Sequence, residues 1–347
     1  MTTYLLSAWR GGTRMQMIQD TILGLRVEAM TVFQNLAVFP MLNGNGVGEP
    51  AYVTLDEALE QGSARVTEVS SAGNVPELEF VNDGQKPVLL LDGEELVGAK
   101  QNRVLNITLL APAAQTIIIP VSCVEAGRWS HRSAVFASAG RVQYASGRAE
   151  KMKHVTASLQ LEGTRSSRQS EVWADIDRKA ERMQAKSETA AMSEMFERYS
   201  GTVEDYVNAF SVSAGQVGSV FAINGEMIGL ELFDCPQTMR KLFPELLRSF
   251  ALDAIDFQRP DPKQPSREEA QKFVEAVAKA ECQQFPAVGI GEDVRFSSEG
   301  VVGGSLIADG RVVHLSAFAE PGRENDSEST SRSSMIRSSL RHQRRRT

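Results

Sequence analysis

Cysteine is scarce in this chain, and long apolar runs are missing. Its 347 residues include three cysteines, and Cys123, Cys235 and Cys282 stand far apart without a CxxC pair. An odd number of scattered cysteines is a poor disulfide framework, which favours a reducing compartment. No apolar run approaches the roughly 18 residues of a membrane span, and residues 1–10 lack the pattern of a secretory signal. We therefore expect a cytoplasmic protein that does not contact membranes.

Positive charge is also scarce over most of the chain. The net charge is −7, yet residues 323–347 hold seven arginines against three acids, which leaves −11 on the rest. Phosphate contacts need a basic surface, so we expect no nucleic acid as the main partner. The same segment has seven serines and almost no apolar residues. Burial there cannot offset the entropy of ordering, and the sequence predicts a disordered Ser/Arg tail at residues 321–347.

The chain has enough apolar residues to form a core. Hydrophobic residues make up 42% of the sequence and charged residues 23%. Short β-like runs dominate the N-terminal half, and Pro87–Leu91 reads as a strand buried on both faces. The other runs that predict strands in this half are Arg65–Val69, Glu77–Val81, Val104–Leu110 and Thr116–Val121. The N-terminal half is therefore predicted to be β-rich.

Helices are predicted from the centre of the chain onward. Residues 171–186 carry apolar residues at helical spacing, and Pro236 opens a helix to about Ile255. Two tetrads predict capping boxes, Thr54–Glu57 and Ser266–Glu269. Asn224-Gly225 between two apolar runs is a strong hairpin signal.

Near the C-terminus, three apolar runs between residues 294 and 318 predict an antiparallel meander. Runs of strands and runs of helices, without strict alternation, indicate an α+β fold with a mixed C-terminal part. We expect an N-terminal extension at residues 1–20 and an α+β domain at 21–320. An alternative division of that domain gives two lobes, at about 21–135 and 136–320.

Two segments superficially resemble ligand loops. Gly44–Gly48 has the glycines of a nucleotide loop, but extended chain follows it where a helix N-terminus is required, so we interpret it as a plain loop. Cys123–Arg128 resembles an anion loop with a nucleophilic thiolate. Glu125 would place a carboxylate in that cradle, so we interpret Cys123 as a buried packing residue, with a Cys123–His131 pair as the alternative. The scattered ligands predict no metal site.

The segment Asp92–Arg103 concentrates more chemistry than any other stretch. Glu94 and Glu95 follow a turn, and Lys100, Gln101, Asn102 and Arg103 supply two cations and two amides in succession. This set suits an anionic ligand, with a carboxylate available as a base. The alternative is a charged hairpin connection without a ligand.

The segment Ser122–Trp129 adds a second polar cluster after an apolar strand. It contains Glu125, Arg128 and Trp129, where the arginine suits a phosphate or carboxylate and the indole suits stacking. If the two strands are neighbours, both clusters meet at one edge, and Arg103 and Arg128 approach one cavity. The alternative is a capped strand with an ordinary core tryptophan.

The stretch Ser138–Ser170 has six lysines or arginines against two acids and little regular apolar pattern. We interpret it as a solvated or lid-like loop. An anion-attracting flap over the site is the alternative.

Two long motifs resemble a known family. These are Val88–Arg103 (VLLLDGEELVGAKQNR) and Ile119–Trp129 (IPVSCVEAGRW), with further similar blocks at Asn35–Pro40 and Gln169–Trp173. The sequence resembles, over about Thr21–Phe318, a bacterial and archaeal domain family named for its association with ADP-ribosylglycohydrolases and rhodanese-phosphatase-type proteins. The resemblance implies context rather than an activity, and by analogy it favours an ADP-ribose-like or other nucleotide ligand.

The resulting hypothesis is a ligand-binding or hydrolytic α+β domain with a polar pocket for an anionic ligand. Its candidate acid–base residues are Glu94, Glu95 and Glu125. The candidate ligand-binding residues are Lys100, Gln101, Asn102, Arg103, Arg128 and Trp129. The rival hypothesis is a non-catalytic protein-interaction module in which the same motifs are structural. No residue pattern identifies a cofactor or a particular protein partner.

Overall fold

The computed structural model describes residues 14–43, 48–70, 75–130 and 133–320. Eight helices and eighteen strands form within these ranges. The helices are α1 (14–23), α2 (Leu55–Glu60), α3 (Ala145–Glu162), α4 (Gln169–Arg182), α5 (Ser193–Arg198), α6 (Ser200–Asn208), α7 (Pro236–Asp256) and α8 (Arg267–Lys279). The strands are β1 (Arg26–Val27), β2 (Thr31–Phe33), β3 (Leu36–Leu42), β4 (Val53–Thr54), β5 (Ala64–Glu68), β6 (Glu77–Asn82), β7 (Val88–Leu90), β8 (Glu94–Gly98), β9 (Arg103–Leu105), β10 (Leu109–Ala111), β11 (Gln115–Cys123), β12 (Phe136–Val142), β13 (Gln216–Ile223), β14 (Glu226–Phe233), β15 (Cys282–Pro286), β16 (Glu292–Ser298), β17 (Val301–Ala308) and β18 (Arg311–Ala319). The mixture confirms the predicted α+β class.

The larger body is an antiparallel sheet of nine strands in the order β1-β3-β13-β14-β18-β17-β16-β15, with β2 beside β3. The predicted hairpin is confirmed, because β13 and β14 pair around Asn224 and Gly225, which both have positive φ angles. The predicted meander is confirmed as β16, β17 and β18. Apolar residues of α7 pack on one face of the sheet, and those of α1 and α8 pack on the other.

The smaller body is a closed barrel of six strands in the order β11-β6-β5-β12-β8-β9. Its interior is a separate apolar core that includes Phe80, Leu96, Leu105 and Val121. A three-stranded sheet, β10-β7-β4, lies beside it and contributes to the same core. Strand β12 of the barrel lies after residue 135 in the sequence, whereas β1, β2 and β3 of the nine-stranded sheet lie before it. The two bodies are therefore interleaved along the sequence.

Both predicted capping boxes are confirmed at the starts of α2 and α8. Thr54 accepts a hydrogen bond from the amide of Glu57, and the Glu57 carboxylate accepts one from the Thr54 amide. Ser266 and Glu269 make the same reciprocal pair. Each box satisfies amides that a helix N-terminus would otherwise leave unpaired.

The prediction of a loop at Ser138–Ser170 is wrong. Residues 136–142 form β12, and residues 145–162 form the long helix α3. The apolar period is weak because α3 buries charged side chains: Arg148 is 0% exposed and Lys151 is 1% exposed. A hydrophobic pattern does not predict such a helix, because it assumes that charged side chains are exposed to solvent.

The N-terminal segment is part of the fold from residue 14 onward. Ile18 and Ile22 of α1 are buried against α8 and the nine-stranded sheet. Residues 1–13 of the expected extension and the predicted tail at 321–347 lie outside the described residues, and so do residues 44–47 and His131.

Candidate functional site

The two polar segments of the sequence meet in the barrel wall. Strand β9 pairs with the end of β11, and Arg103 lies directly opposite Cys123. Since β9 also pairs with β8, the segment Asp92–Arg103 folds back beside Ser122–Trp129. The expectation that the strands are neighbours is confirmed.

Arg128 fastens the two segments together. Its Nε lies 2.8 Å from Glu125 Oε2, and its Nη2 lies 3.0 Å from Asn102 Oδ1. Its Nη1 donates to the carbonyls of Ala99 and Ser130. The guanidinium of Arg128 therefore donates its hydrogen bonds to groups of the protein itself. Its predicted role in ligand binding stays a prediction.

Glu125 is the acceptor at the centre of this arrangement. Its Oε2 also accepts from the backbone amide of Asn102, at 3.2 Å. Burial acts to raise the pKa of Glu125, but hydrogen bonds from Arg128 and Asn102 outweigh it and lower the pKa below its usual value. A carboxylate held ionised in this way is a weak base, which suits a structural role better than proton abstraction.

Arg103 faces the barrel interior. Its neighbour Leu105 belongs to the barrel core while Val104 between them packs outside, as strand alternation requires. Nη1 of Arg103 donates to Gln101 Oε1 at 2.9 Å and to Cys123 Sγ at 2.8 Å. Its Nε and Nη2 are buried without a hydrogen-bond partner, and within the described ranges no carboxylate lies within 4.0 Å of its guanidinium.

Trp129 lies over this guanidinium. Its ring centroid is 5.8 Å from Cζ of Arg103 and 5.3 Å from Nζ of Lys100. The Trp129 side chain is 49% exposed, so it is not the core tryptophan of the alternative interpretation. We call Lys100, Arg103, Cys123 and Trp129 the barrel-end cluster. It combines two cations with an accessible aromatic face.

Cys123 is buried within the barrel-end cluster. Its Sγ lies 2.5 Å from Gln101 Oε1, and the pKa of the thiol is raised to about 11, chiefly by burial. Arg103 acts in the opposite direction without overcoming the burial. A thiol in this state is a poor nucleophile at neutral pH, which favours the packing interpretation.

A helix residue fixes the backbone at the same point. Gln169, at the start of α4, accepts from the Cys123 amide and donates to the Cys123 carbonyl, with both distances 2.8 Å. This contact joins two of the sequence blocks that resemble the family, Ile119–Trp129 and Gln169–Trp173. No local pattern of residues predicts this contact, because the two blocks are remote along the chain.

Glu95 and Asn102 face the outer side of the barrel wall. Glu95 Oε2 lies 2.6 Å from Nε of Arg141, and Asn102 Nδ2 lies 3.4 Å from Glu95 Oε1. Burial raises the pKa of Glu95 despite the pairing with Arg141. Arg141 and Asn102 line an open cavity of about 440 Å³ that also borders Glu197 of α5.

Glu94 lies apart from the other candidates. Its carboxylate accepts from the Leu91 amide, and its pKa is raised by burial and by the nearby carboxylates of Glu245 and Asp56. Successive residues of a strand point to opposite faces, so Glu94 and Glu95 cannot share one site. Glu94 thus belongs to an acidic group between β8, α2 and α7.

Asp92 also lies away from the predicted site. It contacts residues that the sequence did not indicate as candidates. It pairs with Arg148 and Lys151 of α3, at 3.3 and 2.9 Å. Arg148 in turn contacts Glu231, which contacts His314. The one available signal was the i, i+3 spacing of Arg148 and Lys151, which places both on one helix face.

In the described part of the chain, no group of three or more His, Cys, Asp or Glu side chains is arranged to hold a metal ion. No helix there is long and apolar enough to cross a membrane.

These features define a class: an α+β protein in which a six-stranded barrel with polar residues at one end is joined to a nine-stranded antiparallel sheet. A family model matches residues 24–318, and the chain belongs to that family, the ARPP-1 domain (ARG and Rhodanese-Phosphatase-superfamily-associated Protein). No curated protein and no solved structure matches the chain.

Proposed function

We propose that this protein binds a small anionic ligand at the barrel-end cluster, and that the ligand is nucleotide-like. The observation that carries the proposal is the Arg103 guanidinium, which is 0% exposed and has two nitrogens without a partner. Leaving a buried charged group unsatisfied costs roughly 1–3 kcal/mol or more. A phosphate or carboxylate that accepts from Nε and Nη2 together would remove that cost.

The surroundings of Arg103 support a ligand with both a charge and a flat ring. Lys100 adds a second positive charge beneath Trp129, and the exposed indole offers a face on which a base can stack. The family's association with ADP-ribosylglycohydrolases agrees with an ADP-ribose-like ligand. The predicted cytoplasmic location is consistent with such a ligand and belongs to the same proposal.

In the hydrolytic form of the proposal, the reacting group of the substrate lies in the cavity on the outer side of the barrel wall, with Glu95 as the acid–base residue, and not beside Arg103, which faces the barrel interior. Its raised pKa keeps a proton available at a higher pH than an ordinary glutamate. It is bonded to Arg141 and Asn102, which line the cavity of about 440 Å³. That volume is within the usual range for small-ligand sites. The rival form is a protein-interaction module, in which the exposed Trp129 ring contacts a protein.

Calorimetric titration of the full chain with ADP-ribose, AMP, inorganic phosphate and uncharged ribose tests the proposal. We expect ADP-ribose or AMP to bind and ribose not to bind. Arg103→Met should weaken binding by about 5- to 150-fold, which corresponds to about 1–3 kcal/mol for a charge-assisted hydrogen bond. Trp129→Ala should also weaken it, and Arg65→Ala, on an exposed pair with Asp83, is the matched control.

Stability separates a ligand-binding arginine from a structural one. If Arg103 is kept for a ligand, Arg103→Met should leave the ligand-free protein as stable as before or more stable, because it removes an unpaired buried charge. Loss of stability without loss of binding would mean that Arg103 is structural. Failure of every anionic ligand to bind would reject the proposed function.

A further inference from the structure

An open cavity of about 600 Å³ lies between α2, the start of β5 and β12. We call it the α2 cavity. Strand β12 pairs with β5 at one position, where Phe136 lies opposite Val66, and beyond that pair α2 lies beside β12. The cavity opens at this change of neighbour. Its volume is within the usual range for sites that bind small ligands.

The wall of the α2 cavity has two carboxylates and an apolar surface. Asp56 and Glu60 both line it from α2. Residues four apart lie on the same face of a helix, with their Cβ atoms roughly 5–6 Å apart. Leu59 and Val135 supply the apolar surface, and Val135 is 47% exposed. The wall therefore suits a ligand that has positive charge and an alkyl part.

Behind this wall lies the acidic group, in which Asp56 meets the buried Glu94 and Glu245. Glu245 is 6% exposed. Oδ1 of Asp56 and Oε2 of Glu245 are buried, and no donor of another residue reaches either oxygen. Glu245 is hydrogen-bonded to Asp56, so one of the two carboxyls carries the proton between them. A donor from a ligand can take the place of that proton.

The positive charges around the acidic group are engaged elsewhere. Arg248 acts on the buried carboxyls from α7, but its guanidinium donates to Glu204 and to the Gly140 carbonyl. Arg65, on the cavity wall, pairs with Asp83. Within the described ranges, no lysine or arginine nitrogen lies within 4.0 Å of a carboxyl oxygen of the acidic group.

The missing counter-charge has a consequence for protonation. Burial and the nearby Asp56 raise the pKa of Glu245 to about 8, and burial together with Glu245 raises the pKa of Glu94. At neutral pH these two groups therefore hold protons that a cation beside them would displace.

We propose that the α2 cavity binds a small aliphatic diamine. One ammonium group donates to Asp56 and Glu245, and the other donates to Glu60. The alkyl chain between them lies against Leu59 and Val135. An ammonium group has three donors and no acceptor, which matches a wall of carboxyl oxygens. The proton that Asp56 and Glu245 share passes to solvent when the diamine binds.

This site is separate from the barrel-end cluster, and it does not depend on the function proposed there. Calorimetric titration of the full chain at pH 7 with diaminobutane, butylamine and butanediol tests it. We expect diaminobutane to bind most tightly, butylamine to bind more weakly and butanediol not to bind. The four-carbon chain of diaminobutane can span the distance between Asp56 and Glu60.

Proton release is a second readout. Titrations in two zwitterionic buffers of different ionisation enthalpy measure it, and we expect up to about one proton per bound amine from the pair of Asp56 and Glu245. Since protons leave on binding, the affinity should increase as the pH rises, by up to about 10-fold per pH unit, and should level off above about pH 8.

Variants assign the two ends of the ligand. Asp56→Asn should weaken the binding of both amines about 10- to 150-fold, the usual contribution of a hydrogen bond to a charged group. Glu60→Gln should reduce the affinity for diaminobutane to that for butylamine and leave butylamine unchanged. Glu245→Gln should abolish proton release. Glu79→Gln, on a half-buried carboxylate of β6 that accepts from Thr67, is the matched control.

The exposed position of Glu60 keeps the test valid even if Asp56→Asn does not fold. Failure of diaminobutane to bind, or equal binding of butanediol, would overturn the proposal. So would an affinity for diaminobutane that is unchanged in Glu60→Gln, or binding to the parent protein without proton release.

Discussion

Nη2 of Arg128 lies 2.6 Å from Oε2 of Glu125, and both side chains are almost completely buried. The pair joins the loop after β11 to the loop between β8 and β9, since Arg128 also reaches Asn102 and the Gly98 carbonyl. This ion pair therefore joins the two loops beside the barrel-end cluster. Preorganisation of this kind is what a binding site on loops requires.

Removal of Arg128 should destabilise the protein strongly. Arg128→Met removes one side of the buried ion pair with Glu125, and breaking a buried pair in this way costs about 3–5 kcal/mol. Urea unfolding of the variant checks the value. The control is Arg65→Ala, where an exposed pair with Asp83 should contribute at most about 1 kcal/mol. Equal losses for the two variants would contradict the structural role of Arg128.

The free energy of unfolding should fall as the pH rises, because of the acidic group formed by Glu94, Glu245 and Asp56. Burial and the nearby Asp56 raise the pKa of Glu245 from 4.5 to about 8. The folded protein thus binds a proton that the unfolded chain has released, so this contribution is complete below about 4.5 and is lost as the pH passes about 8.

Glu245→Gln should remove that dependence. Between pH 5 and pH 9 the unfolding free energy of the parent should fall by at least about 1.4 kcal/mol more than that of the variant, the equivalent of one pKa unit. Urea titrations at the two pH values measure the difference, with Glu60→Gln on an exposed site of α2 as the control. Parallel curves for parent and Glu245→Gln would show that the carboxyl is not buried in its neutral form.

Cys123 should react slowly with thiol reagents in the native protein. Its pKa of about 11 keeps the thiolate scarce at pH 8, and its side chain is buried, whereas Cys282 is only half-buried. Iodoacetamide labelling followed by mass spectrometry should therefore modify Cys282 first. Cys123→Ser should retain ligand binding. Rapid labelling of Cys123 together with loss of binding in that variant would restore the thiolate mechanism.

Deletion of residues 323–347 should leave the melting temperature unchanged. The prediction rests on composition, since seven serines and seven arginines offer almost no apolar surface to bury. Differential scanning calorimetry of the full and shortened chains measures it. A shortened chain that unfolds would show that this segment packs on the body of the protein.

Local signals in the sequence determined many of the elements. The capping boxes at Thr54 and Ser266, the Asn224-Gly225 hairpin and the C-terminal meander each depend on neighbouring residues, whose preferences act at short range. The β-rich N-terminal half followed for the same reason. Helix α3 was missed because its buried face carries Arg148 and Lys151, and sequence patterns equate charge with exposure.

The sequence also indicated that the segments of Arg103, Cys123 and Arg128 would meet if their strands were neighbours, because both polar segments adjoin apolar strand runs. Only the tertiary structure decided which face each side chain takes. Barrel closure turns Arg103 inward, the alternation of β8 separates Glu94 from Glu95, and folding of α3 onto the sheet draws Asp92 to Arg148. Register and packing between remote strands set these relations, and no local pattern of residues encodes them.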